Sequence, residues 1–449
     1  MQLRRMTDAG FAGIARSLFQ FSLPLILSGV LQQLYSWADA FIVGRVEGEL
    51  ALAAVGATGT VVNLFLTIIT GFTLGLSILC AQKYGSGERS AIPQILATFS
   101  LLFAVLFLFL AAAGALLSPW ALRLLHTPSD ALPLAEAYLR IVFAGIPFLA
   151  VYNVFSAALR GLGDSRTPFI AVLISSLVNI ALDVVLVACL HWGVGGAALA
   201  TVLSQAAMTL FLVIYSRRKH PLLRFHPGLR MLNRRALSQG LRMGFPPMIQ
   251  SSVSAFGGLI LQNFMNGFGT QTVAAITTAY RVDSIILLPI INLGSGISTL
   301  VAQSYGANDG PRARKTFMVG LAAMLAVSLL LTLLIIPTGG TLIAMFGAGP
   351  EAIRIGRDFF HRIASFYVVF GLATAARGFL EGLGDVVFSS IAGMVSLCVR
   401  IAASYAMAGL FGNMVIAYAE AFSWIVLLIL YLLRLMSRRR QRQSAGLAA

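Results

Sequence analysis

The chain has 449 residues, of which 58% are hydrophobic and only 11% are charged, and its formal net charge at pH 7 is +16. Soluble domains carry about a quarter charged residues, so the composition excludes a soluble globular fold and indicates an integral membrane protein. A strongly basic chain can also indicate nucleic-acid binding, but here the basic residues lie where membrane topology requires them, so nucleic acid is not an expected partner.

Apolar runs of roughly 20 residues, long enough to cross a hydrocarbon core of about 30 Å, follow one another along the whole chain. The backbone finds no water in that core, so each run is predicted to be a helix. The twelve predicted spans, numbered in chain order, cover approximately 18–44, 54–80, 93–117, 136–159, 168–191, 195–216, 244–267, 273–303, 316–337, 357–380, 387–409 and 415–435. The predicted fold is an all-α integral membrane protein.

One long polar segment, 217–242, separates spans 1–6 from spans 7–12, and it holds eight Arg or Lys residues and no acid. The tail 437–449 is also basic. By the positive-inside rule, this linker and both termini are predicted to be cytoplasmic. The predicted organisation is an N-terminal lobe at 1–216, the linker, a C-terminal lobe at 243–436 and the tail.

The two halves repeat each other at a shift of 221 residues. The sequence AQKYG at 81–85 aligns with AQSYG at 302–306, and LRGLGD at 159–164 aligns with LEGLGD at 380–385. Six spans return the chain to the side from which it started, so the two lobes are predicted to be related by a pseudo-two-fold axis along the membrane normal. In each Gly-Leu-Gly-Asp turn, glycine is predicted to supply left-handed geometry and Asp to cap the next helix. Duplicated membrane units of this kind are typical of transporters.

Two ionisable residues lie well inside the spans of the first half, Asp39 in span 1 and Asp183 in span 5. Both spans run outward, which places the two carboxylates at similar depth. Asn179 lies one turn before Asp183, and Thr201 in span 6 returns to the same depth. These four oxygen-bearing side chains could bind Na⁺, or the two acids could take up and release a proton. The structural alternative is that the acids only form hydrogen bonds with neighbouring helices.

The second half has lost this group, because the same shift places Arg400 on Asn179 and Ser404 on Asp183. This predicts a single ion site, in the N-terminal half. The second half has its own charged residues that are predicted to be buried, namely Asp283, Arg400 and Glu420. Either Arg400 pairs with one of the acids and stabilises the bundle, or an acid attracts a cationic substrate.

Aromatic, methionine and amide side chains in the spans are candidates for a substrate pocket, since aromatic rings and thioethers adapt to apolar ligands and amides orient them. The alternative for each is ordinary packing. The predicted pocket residues are Gln32, Tyr35, Asn153, Met248, Phe256, Tyr280 and Glu420.

These features together resemble the multidrug and toxic compound extrusion (MATE) family of transporters. The resemblance covers about 15–435 and is carried by Pro24, by QQLYSWAD at 32–39, by ALAAVG at 51–56, by 179–183 followed by GVGGAALAT at 193–201, and by the repeated Gln-x-Tyr-Gly and Gly-Leu-Gly-Asp motifs. It implies that the positions of Asp39, Asn179, Asp183 and Thr201 form an ion or proton site, and that those of Gln32, Tyr35 and Asn153 line the pocket. Some relatives place a coupling acid in span 7, where this chain has none.

The predicted function is therefore a secondary active exporter of amphipathic, cationic small molecules, driven by inward H⁺ or Na⁺ and needing no other cofactor. The chain is expected to act as a monomer in the inner membrane of a bacterial cell. The alternative is a flippase for lipid-linked saccharides, which requires a basic cleft for phosphate, and Arg400 is the one candidate well inside a span. An enzyme is not expected, because no phosphate loop, zinc motif or nucleophile elbow is found.

Overall fold

The computed structural model describes residues 10–124, 127–224, 232–347 and 349–447, with side chains described as far as residue 440. Nearly all of these residues are helical, and no strand occurs among them. Part of the predicted linker, 225–231, lies outside the described residues. The side chains of the predicted tail from residue 441 onward also lie outside them. The all-α prediction is confirmed.

The described residues of the first half form seven α-helices. They are α1 (Phe11–Val46), α2 (Glu49–Gly85), α3 (Ala91–Leu124), α4 (Leu132–Phe143), α5 (Ile146–Gly161), α6 (Arg166–Asp183) and α7 (Gly193–Lys219). A π-helical turn, Val184–Cys189, continues α6, and a 3₁₀ turn, Pro221–Leu223, follows α7.

In the second half, the part of the chain that the structure describes forms eight α-helices. They are α8 (Arg234–Asn266), α9 (Thr270–Ile286), α10 (Leu288–Gly306), α11 (Gly310–Ala344), α12 (Pro350–Ile363), α13 (Tyr367–Gly382), α14 (Val386–Phe411) and α15 (Val415–Leu447). Short 3₁₀ turns separate α12 from α13 and α14 from α15.

Each predicted span is covered by one helix or by two helices with a short break between them. The α4–α5 pair is bent by 44° and the α9–α10 pair by 40°, where Pro147 and Pro289 interrupt the backbone bonding. By length and hydropathy, eight helical stretches of the described chain can cross a membrane, or ten if each bent pair counts as one. One of these stretches, Val386–Arg440, holds both α14 and α15. The count of twelve is compatible with this and stays a prediction.

The internal repeat is visible in the packing of helices at close-approach glycines. A Cβ atom at Gly161 would lie 2.6 Å from Cys80 Cβ and 2.8 Å from the Ser77 carbonyl oxygen. At Gly382 it would lie 2.7 Å from Val301 Cβ and 2.8 Å from the Ser298 carbonyl oxygen. Every one of these pairs is related by the shift of 221 residues. Glycine lets two membrane helices approach to backbone contact, and the same crossing is built twice, as α2 on α5 and as α10 on α13.

The described chain divides into two compact units, and the boundaries fall inside helices. One unit is Pro24–Met248; the other comprises the described parts of Met1–Leu23 and Ile249–Ala449. The boundaries lie at or beside prolines, Pro24 in α1 and Pro246–Pro247 in α8. The predicted lobes at 1–216 and 243–436 follow the sequence repeat, whereas these two units follow the packing of the helices. The lobes therefore stay predictions.

Each unit therefore holds the first part of one long helix from the other repeat. In the Pro24–Met248 unit, a Cβ atom at Gly75 would lie 1.9 Å from the Met243 carbonyl oxygen, so α8 begins in backbone contact with α2. In the other unit, a Cβ atom at Gly296 would lie 2.5 Å from Ser22 Oγ on α1. Ser22 and Met243 are again 221 residues apart, as are Gly75 and Gly296. Equivalent positions therefore make equivalent contacts in each unit.

The two Gly-Leu-Gly-Asp turns share their backbone geometry but use their Asp residues differently. Gly163 and Gly384 have φ values of +88° and +86°, the left-handed region in which glycine is not strained. Asp164 accepts hydrogen bonds from the Thr167 amide at 3.0 Å and the Thr167 hydroxyl at 2.7 Å, so it caps α6 as predicted. Asp385 makes no side-chain cap within the described residues. The cap predicted for Asp385 is wrong, because Arg434 engages its carboxylate at 2.7 Å instead.

Asp164 also ties the end of α7 to this turn. His220 Nε2 lies 2.9 Å from its carboxylate, and Lys219 Nζ lies 3.7 Å away. Burial raises the pKa of the Asp164 carboxyl, but the hydrogen bonds from His220 and Thr167 outweigh it and hold that pKa below its usual range. The turn thus stabilises this end of the unit at neutral pH.

Candidate functional site

The structure brings Asp39 of α1 and Asp183 of α6 together inside the Pro24–Met248 unit. Asp183 is fully buried and Asp39 half-buried, and their carboxyl groups lie within hydrogen-bonding reach of each other. Asp183 is the last residue of α6, immediately before the π-helical turn Val184–Cys189. Such turns often occur at functional sites, because the wider helix redirects the side chains beside it.

The two acids and the neighbouring amide have unmet hydrogen-bonding capacity. Among the described residues, no donor reaches Asp39 Oδ1 or either carboxylate oxygen of Asp183, and neither side-chain polar atom of Asn179 has a partner. Asn179 lies one turn before Asp183 on the same face of α6 and is 1% exposed. Two ionised carboxylates can only accept, so a hydrogen bond between them requires a shared proton. The arrangement therefore favours the uptake of a proton or a cation.

Hydroxyl groups complete one side of this cluster. Thr201 Oγ1 on α7 donates to the Ala197 carbonyl oxygen at 3.0 Å, which leaves its lone pairs available. Tyr138 on α4 is 7% exposed, and its hydroxyl lies within hydrogen-bonding reach of Thr201 and close to both carboxylates. Sequence reasoning missed Tyr138, since one tyrosine in an apolar span is not distinguishable from a packing residue by pattern alone.

The predicted pocket residues of the first unit have different surroundings. Tyr35 lies one turn before Asp39 on the same face of α1, and the two groups interact electrostatically. Gln32 is exposed, one turn further from Asp39. Asn153 is 7% exposed and donates to the Leu149 carbonyl oxygen at 2.8 Å, so one of its donors is used within α5. Tyr35 is thus the predicted pocket residue closest to the acidic pair.

The remaining pocket predictions fall in different units of the chain. Met248 packs against the hydrophobic core of the Pro24–Met248 unit, whereas Phe256 in the other unit is 58% exposed. Tyr280 and Glu420 lie together, and Tyr280 donates a hydrogen bond of 3.2 Å to the carboxylate. The role of all seven as a substrate pocket stays a prediction.

Arg400 occupies the repeat position of Asn179 and lies between Tyr280 and Glu420. Its Nη2 donates to the Glu420 carboxylate at 2.9 Å and to the Tyr280 hydroxyl at 2.7 Å. This matches the first of the two interpretations of these charges, in which Arg400 pairs with an acid. A guanidinium already held by a carboxylate is a poor phosphate site, because phosphate would have to displace that partner.

The donor set of the first unit fits either of the predicted coupling ions. Carboxylate, amide and hydroxyl oxygens from Asp39, Asp183, Asn179 and Thr201 are ligands of hard cations, which suits Na⁺. The facing carboxyl pair equally suits a proton. Among the described residues, no group of three or more His, Cys, Asp or Glu side chains is placed to hold a metal ion. The binding of either ion stays a prediction.

Comparison with known proteins identifies one matching family and several relatives over most of the chain. The family model MatE matches the chain twice, at 24–185 and 246–406. The probable multidrug resistance protein YoeA of Bacillus subtilis is 30% identical over 384 residues, 84% of this chain and 83% of the relative. The multidrug export protein MepA of Staphylococcus aureus is 22% identical over 427 residues, 94% of each chain.

Solved structures show the same fold. A multidrug resistance MATE transporter of the MOP superfamily, in an outward-facing conformation, superimposes with a TM-score of 0.87 at 21% identity, covering 97% of both chains. A MOP superfamily transporter from Pyrococcus furiosus, described as having a binding pocket of reverse polarity, also gives a TM-score of 0.87 at 21% identity. It covers 95% of this chain and 96% of its own.

Proposed function

The chain belongs to the MatE family of membrane transporters, and on that basis we propose that it is a multidrug exporter driven by the inward movement of H⁺ or Na⁺. Its substrates are small, amphipathic and cationic. The B. subtilis and S. aureus relatives are named for multidrug resistance and multidrug export. The protein acts as a monomer in the cytoplasmic membrane of a bacterial cell, with both termini in the cytoplasm.

The observation that carries this proposal is the pair formed by Asp39 and Asp183. No basic side chain lies within 4.0 Å of either carboxylate among the described residues. A structural ion pair would place an arginine there, as Arg400 is placed beside Glu420. Two close, uncompensated carboxylates in a membrane protein instead bind a positive charge and lose it reversibly.

The mechanism requires only that ion and substrate prefer different states of one carrier. The outward-facing state takes up a proton or Na⁺ at the Asp39/Asp183 pair. Neutralising the pair removes the repulsion between α1 and α6, so α1 repacks about Pro24 and the substrate is released outside. The inward-facing state discharges the ion into the cytoplasm and rebinds substrate. Coupling is the difference in free energy that each ligand makes between the two states.

The test is substrate-triggered ion movement in everted membrane vesicles, with ethidium as the cationic substrate. Vesicles carry a pH gradient, and its collapse on ethidium addition is recorded with and without Na⁺. Wild type is compared with Asp183→Asn and with Asp130→Asn, which changes an exposed acid outside the site. We expect wild type and Asp130→Asn to respond and Asp183→Asn not to respond.

The Na⁺ dependence of the response identifies the coupling ion. Collapse of the gradient without Na⁺ means proton coupling, and uptake of labelled ethidium that requires a Na⁺ gradient means sodium coupling. Full ion-coupled transport by Asp183→Asn would refute the role of the acidic pair. The absence of any substrate-dependent ion movement in wild type would refute the antiporter.

A further inference from the structure

We propose that Asp283 is a second proton-binding site of this protein, located in the repeat that lacks the Asp39/Asp183 pair. Its participation in transport rests on the function proposed above, whereas its proton binding stands independently of that function.

The buried acids of the unit that contains the described part of Ile249–Ala449 differ in their partners. Four of its described acidic residues are 4–8% exposed. Three have a guanidinium group within 3 Å: the distances are 2.6 Å for Glu381 and Arg377, 2.7 Å for Asp385 and Arg434, and 2.9 Å for Glu420 and Arg400. The fourth is Asp283, and among the described residues it has no basic group within 4.0 Å.

Arg400, the basic residue that interacts electrostatically with Asp283, already has other partners. It donates to Glu420 and to the Tyr280 hydroxyl, and its guanidinium carbon lies 5.7 Å from the centre of the Tyr280 ring. Asp283 interacts electrostatically with both Glu420 and Arg400, so the group contains two carboxylates and one guanidinium. With all three ionised it holds one excess negative charge. Such a charge is expensive inside a membrane protein unless a cation balances it.

The hydrogen-bond partner of Asp283 carries no charge. The Tyr367 hydroxyl, on the first residue of α13, donates to Asp283 Oδ1, and Tyr367 itself is fully buried. A phenol can orient the carboxyl group, but it does not neutralise it. One proton on Asp283 would balance the whole group, because Arg400 already balances Glu420.

The walls of the site favour a proton over a metal cation. The Trp424 ring lies 6.3 Å from the Tyr367 ring, and the Phe359 ring lies 5.6 Å from the Tyr280 ring. The groups that interact with Asp283 are Tyr280 from its own helix α9, Tyr367 from α13, Arg400 from α14 and Glu420 from α15. The apolar ring of Phe359 from α12 packs against Tyr280. Aromatic rings supply few oxygen ligands, whereas Na⁺, like other hard cations, requires several.

The test reads the protonated carboxyl group directly. The protein is purified into lipid nanodiscs as the Asp39→Asn/Asp183→Asn variant, which removes the acidic pair of the first unit. Infrared difference spectra are recorded between pH values, with and without [4-¹³C]aspartate labelling. We expect one protonated-carboxyl band, typical of apolar surroundings, that shifts with the label and titrates with pH. The label assigns the band to aspartate and excludes Glu381 and Glu420.

The further substitution Asp283→Asn should abolish this band, and Asp130→Asn should leave it unchanged. Size-exclusion chromatography shows whether each variant is folded. If the variant with the further substitution Asp283→Asn does not fold, the Asp39→Asn/Asp183→Asn variant still tests the proposal, because the presence or absence of its labelled band is informative by itself. Absence of a labelled band at every pH would overturn the proposal, as would a band that persists without Asp283. Displacement of the band by Na⁺ would overturn it too, since the site would then bind a metal cation.

The outcome is separable from that of the exporter proposal. If ethidium-triggered ion movement fails and the band is present, Asp283 still binds a proton and the antiport proposal alone is refuted. If ion movement depends on Asp183 and the band is absent, the second site alone is refuted.

Discussion

The guanidinium of Arg400 lies 2.9 Å from the carboxylate of Glu420. In the internal repeat, Arg400 occupies the position of Asn179, which lies beside the acidic pair of the first half. The equivalent positions therefore differ in chemistry: in the second repeat Arg400 pairs with Glu420, whereas in the first repeat the uncharged Asn179 leaves Asp39 and Asp183 without a basic partner among the described residues. This contrast supports the proposal that Asp39 and Asp183 bind a cation and that the Arg400–Glu420 pair stabilises the structure.

Loss of the Glu420 carboxylate should lower the thermal stability of the protein, rather than act primarily on substrate recognition. Glu420→Gln leaves the half-buried Arg400 without its counter-charge. Removing one partner of a fully buried ion pair costs about 3–5 kcal/mol, which is the upper limit expected here. We expect a lower midpoint of thermal unfolding, partly restored in Glu420→Gln/Arg400→Gln. Tryptophan fluorescence of the purified protein measures it. If Glu420→Gln keeps the wild-type midpoint but loses ethidium export, the acid serves the substrate instead.

Methyl groups at the two repeated glycine crossings should destabilise the protein to a similar extent. Alanine at Gly161 or Gly382 would place Cβ 2.6 or 2.7 Å from the facing helix, closer than real Cβ atoms approach. Overpacking of this kind costs about 1–3 kcal/mol. The control is Gly56→Ala in α2, where no atom lies within 4 Å, so that variant should match or exceed wild type. The midpoints of thermal unfolding of the three variants test this prediction. A Gly161→Ala variant with the wild-type midpoint would contradict the close packing.

Tyr138 should contribute to ion coupling through its hydroxyl group. Tyr138→Phe keeps the ring and removes a group beside Thr201 and both carboxylates. A hydrogen bond contributes about 1 kcal/mol, so we expect roughly fivefold weaker dependence on the coupling ion with near-normal expression. Ethidium-triggered ion movement at several ion concentrations measures this. Tyr215→Phe, on a ring that stacks with Phe211, is the matched control. An unchanged ion dependence in Tyr138→Phe would remove Tyr138 from the site.

Asp164 should stabilise the protein at neutral pH and lose this effect in acid. The pKa of its carboxyl is depressed in the folded state, so its contribution is present above the unfolded pKa of about 3.9 and disappears as the pH falls toward the folded value. Asp164→Asn should therefore unfold at a lower temperature than wild type at pH 7, and the difference should shrink below about pH 4. The unfolding midpoint as a function of pH tests this, with Asp130→Asn as control. A difference that grows in acid would contradict the assigned sign.

The helices of this protein were predictable because they depend on local patterns. Apolar runs longer than the hydrocarbon core must be helical, and the chain has helices at every predicted position. The breaks also have local causes, since Pro147 and Pro289 lie at the two bends. The internal repeat was readable from AQKYG and LRGLGD, and the glycine crossings at Gly161 and Gly382 confirm it. The twelve-span count and the lobe boundaries stay predictions.

Other features depend on how each helix is rotated about its axis, which hydropathy does not encode. The sequence predicted similar depth for Asp39 and Asp183, because two spans running in the same direction fix the height of both residues, but only the packing of α1 and α6 brings the two carboxyl groups together. It could not show that Tyr138 joins them. It also left open which acid Arg400 holds, and only the packing of α14 against α15 assigns Arg400 to Glu420 and leaves Asp283 without a basic partner.

The sequence by itself determined that this chain is a duplicated, all-helical membrane protein with two acids at one depth, since length, hydropathy and repeat spacing act along the chain. The tertiary structure decided which charges neutralise each other and which stay uncompensated. It also decided that residues 11–23 pack with the second repeat. Such pairings are set by contacts between helices distant in sequence, so only the packed structure determines them.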